Sequence, residues 1–369
     1  MLTFNQTQIH KSKVIENIAE AIRKEAEANK ENASPLLRLL VRFVLDISIL
    51  RDTALHTCRS GIIESMIQIL DTNQDFLDEI VDALRLLTEM TERDEKEGAI
   101  ARLSNEMSFA VLHKSFEHLI KDGYRRTDKE LRNEILILLT TLASRNQNHS
   151  RFLTSSDNGD GSDMGTLSLL LACMTTTTRG EFKNVRSTSQ EDYEFITIAW
   201  QLISDLGVQS DACRKLVNRS RFLRILLAYV DVSDSSLVST SSRRDLMSVV
   251  PVVFARARMR ELKIQALQIL HESLTWSLRE VMSYDAARIC VKFVNTFLVV
   301  HEEEDEEEAK ESTSARHDSV STGLQFLVAL SRDPSTHDSL VQSECMGLAM
   351  EICCREKGET VVSMEWATM

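Results

Sequence analysis

Residues 36–70 read LLRLLVRFVLDISILRDTALHTCRSGIIESMIQIL. In the first fifteen, Leu36, Leu40, Phe43, Val44 and Ile47 stand at offsets 0, +4, +7, +8 and +11, the spacing that lines one side of an α-helix. A short amphipathic segment, Arg51–Arg59, follows, then Gly61, then a second apolar helix over Ile62–Leu70. Long helix, short helix, medium helix is the three-helix unit of armadillo-type repeats. Gly61 falls at the corner before the medium helix, where a residue without Cβ adopts positive φ at little cost.

The same template recurs at Leu131 (Ile135, Leu138, Leu139, Leu142) and at Phe195 (Ala199, Leu202, Ile203, Leu206). Weaker copies start at Glu79, Leu262 and Ser319. Across the six, 26 of 30 positions are apolar, about twice what a 43% hydrophobic chain supplies by chance. Starts are 43, 52, 64, 67 and 57 residues apart, and repeats of this class run ~40–47. The excess is read as polar surface inserts near 154–165, 175–190, 233–259 and 301–318. The expected fold is all-α: an armadillo/HEAT-like, right-handed superhelical solenoid of about six repeats over residues 34–358. An N-terminal helical segment (1–33) precedes it and a tail (359–369) follows. The final helix, with Met346, Leu348, Ala349, Met350 and Ile352, carries no polar cap, so the stack is expected to continue in another chain or a longer protein.

Bulk composition agrees. Glycine and proline together make about 4% of 369 residues, far below the turn-rich β and α/β folds. A net charge of −13 argues against nucleic acid or an anionic membrane as partner, although seven of the acids sit together in Glu302–Glu308. Seven scattered cysteines form no CxxC pair and no Cys/His cluster, which reads as reduced, buried thiols of a cytosolic protein. No signal peptide opens the sequence, and no run approaches the ~18 apolar residues of a membrane span.

Chemistry-bearing motifs are absent. There is no GxGxxG, no GxxxxGK[ST] and no HExxH; His271-Glu272 lacks the second histidine. The run Asp157–Asp163 resembles a calcium loop, but Gly159 and Gly161 offer no side-chain oxygen and position 12 is Ser168. Trp200 is followed four residues on by Ser204, not by the asparagine of importin-type peptide grooves. No enzyme activity, cofactor, metal or small-molecule substrate is expected.

Charge placement says more. Between Arg214 and Lys263 eleven basic residues face four acidic ones. Arg214, Lys215, Arg219, Arg221, Arg224, Arg256, Arg258, Arg260 and Lys263 are the candidate partner-binding residues, a patch suited to an acidic neighbour such as a tubulin tail or a scaffold subunit. The acidic run 302–308 reads as a solubilising loop able to compete for that patch. The serine-rich insert 233–248, with Arg243-Arg244, offers phosphate acceptors.

Two stretches carry a resemblance. Residues 116–143, FEHLIKDGYRRTDKELRNEILILLTTLA, hold a D-x-x-LRN-(D/E)-IL helix at Asp128 and Leu131–Leu136. Residues 191–230, EDYEFITIAWQLISDLGVQSDACRKLVNRSRFLRILLAYV, hold an E-D-(F/Y)-E helix and an aromatic–LxxL–YV ending. Both resemble the cilia- and flagella-associated protein 69 family, and the Glu261–Leu270 and Thr322–Leu330 helices follow in the order of that family. The resemblance covers roughly residues 61–356 of a shortened or divergent relative, since family members are longer. It implies a non-enzymatic scaffold subunit of the axonemal central apparatus that supports assembly and motility. Its partners would be other central-apparatus proteins and tubulin tails, without nucleic acid or membrane. Its place would be the cytoplasm and cytoskeleton, in the axoneme of a cilium or flagellum. The alternative is a cytoplasmic armadillo-type adaptor in signalling or trafficking.

Overall fold

The structure, a computed structural model, describes residues 13–28, 35–72, 74–153, 164–177, 182–233, 249–298 and 306–355, with backbone only at 26–27, 74, 306–316 and 353–355. Among them there is no strand. Two compact units divide the chain: Met1–Leu169 with Phe182–Val185 and Gln190–Leu202, and Leu170–Glu181 with Arg186–Ser189 and Ile203–Met369.

In the first unit α1 (Val14–Ala28), 15 residues in the medium-helix position, leads to α2 (Pro35–Ile47), 13 residues in the long-helix position. Then come short–medium–long triplets: α3 (Arg51–Arg59), α4 (Ile62–Thr72) and α5 (Leu77–Met90), then α6 (Ala99–Leu103), α7 (Glu106–Asp122) and α8 (Arg126–Ala143). A 3₁₀ turn at Asn146–Phe152 stands in for the next short helix. It is followed by α9 (Thr166–Thr175) and α10 (Gln190–Gln209), both divided between the units. Like packs on like: α1 on α4 on α7, α2 on α5 on α8, and α3 on α6. Each helix alone buries one face; the repeat closes only against the next.

The second unit repeats the order with α11 (Asp211–Arg219), α12 (Phe222–Asp231) and α13 (Arg256–Met282). Ser277, at φ −143°, breaks α13, so its last turn is the short helix of the following triplet. The Ser277 hydroxyl donates to Asn218 Oδ1 at 2.7 Å and holds that break against α11. Then come α14 (Ala286–Leu298), α15 (Glu306–Ser331), α16 (His337–Gln342) and α17 (Cys345–Arg355). Here α12 packs on α14 and α14 on α17, while α13 packs on α15. All six template starts fall in the long helices α2, α5, α8, α10, α13 and α15.

Before α7, Asn105 is extended at φ −132° and its side chain caps the helix. Five other corners share one backbone device, a residue of positive φ just before the medium helix: Lys13, Gly61, Arg221, Asp285 and Glu344, at 53°, 85°, 66°, 60° and 60°. Just before four of them a serine closes the short helix by donating to one of its carbonyls: Ser60 to Thr57, Ser220 to Val217, Ser283 to Glu280 and Ser343 to Ser339. Only one corner uses glycine; the others tolerate the left-handed conformation because the packed helices on either side impose it.

Two inserts differ from the polar loops expected of them. Residues 249–255 end the 233–259 insert as an apolar strap, with Val250, Val252, Val253 and Phe254 buried, and 256–259 already belong to α13. The Val252 N–H donates to Tyr229 Oη at 3.2 Å, which satisfies a buried backbone donor. From residue 306 onward the 301–318 insert is helix, the start of α15. Within 175–190, Lys183–Val185 forms a 3₁₀ turn with Val185 buried. The remaining insert residues (154–163, 178–181, 234–248, 301–305), and with them the calcium-like run 157–163, residues 1–12 and the 359–369 tail lie outside the described residues.

The cysteines whose side chains are described (58, 173, 213, 290 and 345) are buried thiols outside any disulfide. Burial pushes the Cys58 thiol up to about 11, so at pH 8 its reactive thiolate is a minute fraction. Alkylation of Cys58 and Cys290 by iodoacetamide at pH 8 is expected to be at least about a hundredfold slower in the native protein than in denaturant, measured by mass spectrometry. At the corners, Gly61→Ala is expected to cost about 1 kcal/mol through φ alone, since its Cβ would meet nothing within 4 Å. Arg221→Gly and Glu344→Gly are expected to gain up to about 1 kcal/mol. Urea denaturation reads all three.

Candidate functional site

The two resembling stretches meet in the first unit. The LRN of α8 places Arg132 and Asn133 against the first turn of α10, where Glu191 and Asp192 stand. Lys129 Nζ lies 2.6 Å from Asp192 Oδ2 and Arg132 Nη2 lies 3.1 Å from Asp192 Oδ1. The Arg132 and Asp192 side chains are 0% exposed. Arg132 also donates to the Glu191 and Asn184 carbonyls at 3.2 and 3.3 Å, and Asn133 Nδ2 donates to the Glu191 carbonyl at 2.8 Å. The Asn133 Oδ1 accepts from Arg132 Nε and Nη2, which fixes the amide's orientation. The guanidinium sits 4.2 Å from the Phe195 ring centroid, and Phe195 in turn packs near Phe116 on α7. At the rim Arg126 Nε pairs with Glu191 Oε1 at 2.9 Å.

Two cations surround one carboxylate, and the surplus positive charge is solvated by carbonyl oxygens and a ring face instead of water. Asp192 also gains from lying in the first turn of α10, the positive end of the helix dipole. These donors and acceptors face one another across the two helices, so the clasp binds α8 to α10.

The basic residues from 214 to 263 separate into two groups. Arg214 caps the C-terminal end of α10, donating to the Gly207 and Val208 carbonyls at 3.1 Å each, and lies over Trp276 with Asp211 beside it. Lys263 is 3% exposed and donates to the Val232 carbonyl just past α12; it is a buried cap and drops out of the patch. Arg224 stacks on Tyr284, whose hydroxyl binds Glu280. Arg256, Arg258 and Arg260 belong to the other end of α13: Arg258 donates to the Thr188 carbonyl and Arg260 covers Phe297. Eighteen residues of helix, about 27 Å, separate Arg258 from Trp276. What remains at the α11–α12 corner is exposed Lys215, Arg219 and Arg221, which among the described residues make no ion pair. Lys215 and Arg219, one turn apart, share a face.

Elsewhere the chemistry is sparse. A groove of about 530 Å³ runs along α14 to the α16–α17 corner, lined by Arg288, Lys292, Asn295 and Glu344 among others. Its two cations are taken up by Asp285 and Asp231. Among the described residues no group of His, Cys, Asp or Glu could hold a metal ion, and no helix is long and apolar enough to cross a membrane. Trp200, on α10, is 1% exposed and packs in the core, so no ligand can stack on it. The acidic run is described only from residue 306 and there as backbone; the serine-rich insert with Arg243-Arg244 lies outside the described residues.

The family model described as "Cilia- and flagella-associated protein 69, ARM repeat" matches residues 1–321. The chain belongs to this family. It is therefore an armadillo-repeat protein associated with cilia or flagella. The triplet order continues past the matched residues through the rest of α15, α16 and α17. A search of curated proteins finds no match to the chain.

Removing Asp192 strands two buried cations. Asp192→Ala is expected to cost about 3–5 kcal/mol, while Arg126→Ala, at a 78% exposed side chain, costs under about 1 kcal/mol. Urea denaturation followed by the fluorescence of buried Trp200 measures both.

Proposed function

We propose that the chain is a non-enzymatic scaffold subunit of the ciliary or flagellar axoneme, part of the central apparatus, which assembles by docking other proteins. Family membership carries this reading. A second support is what the described residues spend their polar groups on: the buried clasp and the helix caps tie repeats together. For docking, the reading relies on Lys215, Arg219 and Arg221. These cations are held at a corner of defined backbone and meet an acidic surface, such as a tubulin tail or a neighbouring subunit, at low reorganisation cost.

The test is retention. The tagged full chain, expressed in a ciliated cell, is expected to stay with axonemes after detergent extraction and to be missing from axonemes that lack the central pair. A signal removed entirely by detergent contradicts the axonemal reading. Reversing Lys215, Arg219 and Arg221 to glutamate is expected to weaken retention on the order of tenfold and to flatten its salt dependence. Unchanged retention removes the corner from the docking surface.

A further inference from the structure

Successive long helices of the first unit are joined by ion pairs that all run in one direction. Arg38 on α2 reaches Glu79 on α5 at 2.9 Å, and Arg85 on α5 pairs with Glu134 on α8. The earlier helix gives the cation and the later one receives it. Counted from the template starts, the receiving positions are offset 0 on α5 (Glu79) and +3 on α8 (Glu134). The same offsets on α2 are Leu36 and Leu39, which are 50% and 65% exposed. Phe43 extends the row along that side of the helix at 43%. The other side buries Leu37, Val41 and Val44, with α1 and α5 packed on α2. Thus α2 presents, in apolar form, the side by which a long helix of this stack receives its predecessor.

We propose that this row on α2 is the docking site for an amphipathic helix of a partner protein, seated where a preceding long helix would stack. Continuity with the α2–α5–α8 stack sets the occupant's geometry. The leucines at the receiving positions set its chemistry: apolar side chains at i, i+3 or i+4, and i+7. One turn beyond Phe43 on the helix surface stands Asp46, exposed and without an ion pair among the described residues. The predecessor supplies the cation in both contacts downstream, so the occupant carries a basic residue on the flank that meets Asp46. A second copy is disfavoured by size. One thirteen-residue helix, about 20 Å long, offers less than the ~800 Å² per partner of a stable dimer.

The experiment places a photoactivatable benzoylphenylalanine at position 39 of the full chain, in cells that express the chain natively, with position 93 as the solvent-facing control. Adducts are mapped by mass spectrometry. The expected result is an adduct to a segment of another polypeptide with the stated apolar spacing, at least about tenfold above the control. Phe43→Asp is expected to reduce it about fivefold or more with the melting temperature kept within about 2 °C, because Phe43 is already half exposed. Asp46→Lys, which leaves the apolar row intact, is expected to reduce it about threefold. An adduct within the same chain, an adduct to a second copy, a yield at the control level, or a yield indifferent to Phe43→Asp each overturns the proposal.

Discussion

The clasp of Lys129 and Arg132 on Asp192 decides what the most recognisable residues of this chain are for. Burying a guanidinium and a carboxylate costs several kcal/mol per ion before any attraction is counted. That cost is offset only when the partners meet in one geometry with their remaining hydrogen bonds made. Here Asn133, the Glu191 and Asn184 carbonyls and the Phe195 ring complete the shell. The arrangement works only if the first turn of α10 sits at one register on α8. An apolar contact of the same area would tolerate sliding by a turn; this one does not. The clasp therefore supplies register more than stability, at a point where the repeat interval has lengthened to 64 residues.

Other joints use the same logic at lower cost. Arg38 with Glu79 and Arg85 with Glu134 link consecutive long helices at the solvent edge, where each pair contributes a fraction of a kcal/mol. Arg214 and Lys263 spend their charge on the last carbonyls of α10 and α12, so two of the nine basic residues serve as helix caps. What a charge is doing therefore depends on whether it faces a helix end, a neighbouring helix or water. Only the last kind is left for a partner, and at the α11–α12 corner that is Lys215, Arg219 and Arg221.

The long helices were legible because their apolar stripe at offsets 0, +4, +7, +8 and +11 is a property of local periodicity, and all six starts lie in them. The short helices were harder. One hides behind the kink at Ser277 inside α13, and another is a 3₁₀ turn. The serine followed by a left-handed residue, plain at Ser60-Gly61, Ser220-Arg221 and Ser343-Glu344, is a usable signal only once φ is known, because arginine and glutamate do not advertise it. Reading 233–259 as one polar insert passes over the run VVPVVF at 249–254, which packs as a core strap. The nine-residue patch was not legible as two groups because counting along the chain ignores the length of α13. The clasp had a weak mark in the sequence, Arg132-Asn133 set among leucines and isoleucines, but its partners lie about sixty residues away.

Hydrogen exchange on the full chain, resolved by peptide, tests most directly whether these residues exist to lock repeats together. The account predicts that residues 126–143 and 190–202 open together with one free energy in the wild type. It predicts that Asp192→Asn lowers protection in both segments by the same amount while α2 and α3 keep theirs. Independent opening of the two segments, or protection unchanged by the substitution, would contradict it.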